Sequence, residues 1–245
     1  MNATKIHRSI AILTCALLAT TGLAATEADE IVARARAFLG SEAALDSVKS
    51  IRFSGTIAEG TEPRGSIVIT LKKPFQQRIE RTIGDEREVT ALDDFDGWSR
   101  RENLTNPEEL RLTLLSGDHI RRLQANNVEN LNFFKGTERR GGSVEVRGDA
   151  TIDDIACVKV VFIHGRGIEF IRFFDKATGR LVMTETENGG QIRERGEQII
   201  SGIRFPTSLE STFDERTVVI TFESIEVNGD YPNSLFEVPS VMPMP

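Results

Sequence analysis

The chain has 245 residues, with 30 Lys and Arg against 37 Asp and Glu, and a formal charge of −7. That acidic balance excludes nucleic acid and anionic membrane surfaces as main partners. Two cysteines, Cys15 and Cys157, are too few for a disulfide scaffold, so stability must come from packing.

The first element is a leader. Lys5, His7 and Arg8 precede an apolar run over 10–19, and small residues follow up to Ala25. A basic start, a short apolar run and a small-residue site fit a secretory signal peptide over 1–25, cleaved near Ala24 or Ala25. The run is too short for a ~30 Å hydrocarbon core, which needs about 20 apolar residues. Cys15 lies inside the apolar run, behind Ile12, Leu13 and Thr14, which argues against a lipid anchor. Export leaves one domain over 26–245, large enough for a core of its own. It also leaves Cys157 as the single thiol, in a strand over 156–163, where it reads as a buried small hydrophobe.

In the mature chain, Ile31, Val32, Ala35, Phe38 and Leu39 share one face of a helix over 27–39, with Arg34 and Arg36 elsewhere and Gly40 closing it. Ser41 can cap a second short helix to about Val48. Period-two strands then follow over 51–57 and 66–71, Pro74 ends the second, and 76–82 and 86–91 continue the sheet around a Gly84-Asp85 turn. Residues 93–98 form another turn leading into a strand.

The stretch 106–134 differs in texture. Leu110, Leu112, Leu114 and Leu115, then Ser116 as a cap and Ile120 onward, predict helical segments that Asn126, Asn127 and Asn130 interrupt. Gly141-Gly142 opens a meander of short strands to Val227, with its clearest hairpin at 174–181. Residues 235–245 are expected to fray.

Nothing in the sequence supplies a catalytic constellation. There is no Gly-x-Ser-x-Gly elbow, His-Glu-x-x-His, Cys-x-x-Cys or phosphate loop. Asp94, Asp96 and Gly97 imitate part of a calcium loop, but position twelve falls on Asn103, so a plain turn is expected. His119 and His164 read as solvated turn residues, and the pairs Glu108-Glu109 and Asp153-Asp154 as solvated surface. The expectation is a protein that is not an enzyme, with no metal and no cofactor.

The aromatic content is 14 Phe against one Tyr and one Trp, large apolar rings without polar handles. Phe162, Phe170, Phe174 and Phe222 share faces with Val158, Val160, Ile168, Val218 and Ile220, and Val161, Ile163, Ile171, Phe173 and Val219 fill the opposite register. A sheet wet on one side alternates more cleanly. Three arrangements fit: a dry core under covering helices, an apolar cavity that takes a lipid chain, or an oligomer interface.

Several phrases resemble one family. SEAALDSVKSIRFSGTI at 41–57, DGW at 96–98, FFDKATGRLVMTETE at 173–187, GIRFPTSLEST at 202–212, TVVITFESIEVN at 217–228 and NSLFEVP at 233–239 are similar, in order and spacing, to the LolA/LppX-like superfamily of outer-membrane lipoprotein-sorting proteins. The resemblance implies a mainly β fold with covering helices: a curved antiparallel half-open β-barrel with an N-terminal helix and a middle helical lid. It further implies a periplasmic, monomeric binder of lipid or lipoprotein acyl chains that exchanges cargo with an envelope protein donor or acceptor. An envelope sensor or interaction module with a dry core is the alternative. Carriers of this kind hold the lid with an arginine in the cavity, and no arginine here aligns to that role. Trp98, Phe133, Phe134, Phe162, Phe170, Phe174 and Phe222 are the candidate cavity liners, chosen for size and placement.

Overall fold

The computed structural model describes residues 26–60, 62–165, 167–186, 189–214 and 216–239. The expected leader and residues 240–245 lie outside the described residues. Among those described, no helix is long and apolar enough to cross a membrane.

Helix α1 spans Glu27–Leu39, the limits its periodicity predicts. Thr26 and Asp29 cap each other's backbone N–H groups in a capping box, and Glu27, Asp29 and Glu30 place negative charge at the positive end of the helix dipole. Ile31 and Ala35 turn inward as expected, and Ala28 joins them. Arg36 does too, against expectation. Ser41 caps the short α2, Glu42–Asp46, which buries Leu45.

The strands follow as β1 (Ser50–Glu59), β2 (Glu62–Lys72), β3 (Gln76–Ile83), β4 (Glu86–Asp93), β5 (Asp96–Asn103) and β6 (Leu110–Leu114), then helix α3 (Gly117–Asn132). After α3 come β7 (Ser143–Ile152), β8 (Ile155–Ile163), β9 (Glu169–Asp175), β10 (Leu181–Thr186), β11 (Gln191–Arg195), β12 (Gln198–Ile200), β13 (Ile203–Phe205), β14 (Ser208–Phe213) and β15 (Arg216–Val227). All but β12 and β13 form one antiparallel sheet of 13 strands, in the order β6-β5-β4-β3-β2-β1-β15-β14-β11-β10-β9-β8-β7. The pairing of β1 with β15 welds two meanders into one surface. A sheet wider than about 10 strands curls to bury its face. This one curls without closing, because β6 and β7 end as unpaired edges. It is the half-open barrel with covering helices that the sequence implied.

Several segments depart from expectation. Residues 110–114 form the edge strand β6 rather than a helix, and Leu110, Leu112 and Leu114 were in fact spaced by two. Helix α3 starts at the Ser116 cap but runs unbroken through its asparagines: Asn130 donates back to Asn126, and the other two bond to the sheet. Asn127 donates to the Gln76 carbonyl and Asn126 to Gln77 Oε1. The run 191–200 divides into β11 and β12, with β12 and β13 forming a separate ribbon.

The tail, expected to fray from Leu235, is docked as far as Glu237. Trp98 Nε1 donates to the Phe236 carbonyl at 2.8 Å, Arg78 donates to the Leu235 carbonyl, and Arg52 stacks on Tyr231 at 4.1 Å. Arg52, Thr70, Arg78, Ala91 and Trp98 lie opposite one another across successive strands, so they share one face. The tail covers that convex face.

The concave face holds two core clusters. One joins Ile31 and Ala35 of α1 to Phe134, Val158, Val160, Phe162, Phe174 and Leu181. The other joins Leu45 and Val48 to Ile51, Leu71, Leu131, Phe133, Ile203 and Phe205. The opposite register of the later meander builds a smaller cluster of Cys157, Phe173, Val182 and Met183, which accounts for strands apolar on both registers. Cys157 is wholly buried, and burial pushes its thiol pKa up.

Candidate functional site

Between the two concave clusters a cavity of about 340 Å³ remains. That is the low end of the ~300–1,000 Å³ usual for small-molecule sites. Ile51, Phe53, Ile69, Leu71 and Ile79 of β1–β3 form one wall, and Phe222, Leu209 and Ile192 continue it across the weld. Helix α3 lies over it with Asn126, Glu129, Asn130 and Phe133 facing in. Three clefts of larger volume, about 590 Å³ beside Gly40, about 490 Å³ beside Pro74 and Leu131, and about 680 Å³ across Glu88, Arg101 and Glu102, are more open to solvent and proportionately less apolar in lining.

The end of α3 shapes the roof. Phe133 and Phe134 both adopt left-handed backbone conformations, at φ 50° and 70°. Such φ values are outliers for bulky residues and cost of order 1–3 kcal/mol each, so surrounding contacts must hold them. Arg36 does this. It is 2% exposed, and its Nη1 donates to the carbonyls of Asn132 (2.7 Å) and Phe133 (3.0 Å), capping the negative end of α3. Its Nε and Nη2 donate to Glu42, and Nη2 also to Asp46. The Arg36 hydrogen bonds hold the Glu42 carboxyl down at about 2. One arginine thus ties α1, α2 and α3 together.

A second ionic cluster ties α3 to the sheet. Glu129, 3% exposed, is hydrogen-bonded to His164 Nε2 at 2.7 Å and lies 2.8 Å from Arg172 Nη2. His164 is therefore a buried partner and not a solvated turn residue, because the turn after β8 folds it under α3. His119 sits exposed at the α3 cap, as expected. Arg172 packs over the rings of Phe134 (4.7 Å) and Phe162 (5.5 Å).

Of the seven candidate liners, Phe133, Phe134, Phe170 and Phe222 line the cavity. Phe162 and Phe174 are wholly buried against Phe134 in the filled half of the concave face. Trp98 lies on the convex face under the tail. Alternation shows which residues share a face but not which face is concave. Sequence reasoning missed the charged wall, Glu129, Arg172, Glu194 and Arg204, and the Arg36 tie behind its roof. The only signal for it was charge set among apolar strand and helix positions.

Glu194, on β11, keeps some residual surface, and it also lines the cavity wall. Burial pushes its carboxyl up to about 7, with Arg172 and Arg180 opposing. The unfolded carboxyl releases its proton near 4.5 and the folded one near 7, so stability falls as pH rises through that window. Glu194→Gln is expected to flatten that decline in urea titrations run across the window. An unchanged slope would mean that Glu194 is solvated.

No protein-family model matches the sequence, and no curated protein matches it. Solved structures do. A domain assigned to outer membrane lipoprotein sorting from Vibrio parahaemolyticus superposes with a TM-score of 0.55 at 9% identity, over 86% of this chain and 97% of that one. A LolA superfamily protein from Nitrosomonas europaea gives 0.53 at 11%, over 87% and 99%. The chain has the LolA-like fold. A DUF1329 family protein from Desulfovibrio piger shares it, with a TM-score of 0.53 at 12% identity, over 85% and 96%. At these identities the LolA-like likeness extends to the fold alone.

Proposed function

We propose that this chain is a non-enzymatic, monomeric periplasmic binding protein for the acyl chains of lipoproteins or other lipids, acting in their sorting to the outer membrane. The observation that carries this reading is the apolar cavity between the sheet and α3, roofed by two strained phenylalanines. An acyl chain filling it gains roughly 0.8 kcal/mol per buried methylene. The ties at Arg36 and Glu129 make α3 a lid whose release passes cargo between an envelope donor and acceptor. The leader over 1–25 supplies export, and the LolA-like fold, shared with a lipoprotein-sorting domain, supports the placement.

The expected result is that protein purified as residues 26–245 carries lipid detectable by mass spectrometry of its organic extract, and that a fluorescent fatty-acid probe binds after delipidation. Absence of both overturns the reading. The alternative, an envelope sensor with a dry core, draws on the filled half around Phe162 and Phe174. It requires one dominant protein partner in pull-downs and no lipid.

A further inference from the structure

An acyl chain needs only the apolar wall of the cavity, yet part of that wall is charged. Arg172 lines it while 8% exposed. Of its five donors, one meets Glu129, and Nε is buried without a hydrogen-bond partner among the described residues. Thr184, directly opposite Arg172 on β10, adds its side chain to the same wall, as does Glu194, which has no side-chain hydrogen-bond or ion-pair partner among the described residues. Buried donors are normally satisfied, so an orphan guanidinium edge at a cavity wall marks a place for an acceptor.

We propose that the cavity prefers a long-chain carboxylic acid, its carboxylate against Arg172 and its chain along Phe53, Ile69, Phe133 and Phe222. The proposal rests on the acyl-binding reading and specifies which acyl compound is held best. A carboxylate matches the planar fork of a guanidinium, which an ester or alcohol oxygen does not.

The surrounding charges favour a monoanion. Arg172 on β9, Arg180 in the β9–β10 turn and Arg204 on β13 face Glu194, and Glu129 reaches in from α3 with His164 behind it. Glu197 already occupies Arg204. A bound carboxylate opposes ionisation of Glu194, so above neutrality binding takes up one proton. The affinity then falls by up to tenfold per pH unit.

The test displaces a fluorescent acyl probe from delipidated protein with dodecanoic acid, dodecanol and methyl dodecanoate, at about pH 6.5 and about pH 8.5. The acid is expected to bind at least about tenfold more tightly than the alcohol at the lower pH, and to weaken about tenfold or more at the higher. Glu194→Gln is expected to remove the pH dependence and keep the preference. Arg172→Met is expected to remove the preference and keep alcohol binding. If Arg172→Met fails to fold, the wild-type and Glu194→Gln comparisons carry the test. Equal binding of acid, alcohol and ester overturns the carboxylate proposal and leaves the acyl cavity standing. Failure of all three to displace the probe overturns the proposal, and failure of the probe itself to bind overturns the acyl-binding reading beneath it.

Discussion

Glu129→Ala is expected to lower the unfolding free energy by about 3–5 kcal/mol, because it leaves Arg172 charged, buried and without its carboxylate. Glu129 is also the group that His164 Nε2 reaches at 2.7 Å, so the same change removes two contacts to α3, one from Arg172 on β9 and one from the turn after β8. For a domain of this size each kcal/mol shifts the melting temperature by roughly 2–4 °C, so thermal and urea unfolding both read the effect. The double variant Glu129→Leu/Arg172→Met is expected to recover most of the loss, since removing both members of a buried pair is far cheaper than removing one. A loss below about 1 kcal/mol for the single variant would show that water reaches the pair and that it does not tie the lid.

The second large effect lies on the opposite face. Trp98→Ala is expected to cost about 3–5 kcal/mol, the usual range for deleting a buried indole. The ring is buried in a cluster with Val89 and Ala91, and its Nε1 is the donor that the buried Phe236 carbonyl uses. The tail should then come loose between Tyr231 and Glu237, which hydrogen exchange over those residues would register. Acyl-probe affinity is expected to stay at the wild-type value, because Trp98 points away from the cavity. A variant that folds normally yet loses the probe would place Trp98 at the cavity after all.

These two sites show how differently parts of the molecule are written in the chain. The α1 limits, the Ser116 cap, the Gly84-Asp85 hairpin and the strand succession follow from contacts between residues a few positions apart. Local rules reach that far, and the order of turn phrases pointed to the LolA-like fold as well. The misreadings share another cause. Leu110–Leu114 fits either a helix face or an edge strand until β5 is beside it, and the α3 asparagines look like breakers until Gln76 and Gln77 receive them. His164 reads as a surface turn until α3 lies across it.

The sequence by itself determined that this is an acidic chain with a leader-like start, two helices before the first strand, and strands apolar on both registers. Hydrophobic period and turn chemistry act within a few residues and are visible in order. Only the tertiary structure decided which register faces the cavity, which aromatics fill the core, and that charge sits in its wall. Arg36 meets Phe133 across 97 positions and Glu129 meets His164 across 35. Pairings over such separations come from the curl of the sheet under its helices, because burial makes each charge depend on a partner that no local pattern names.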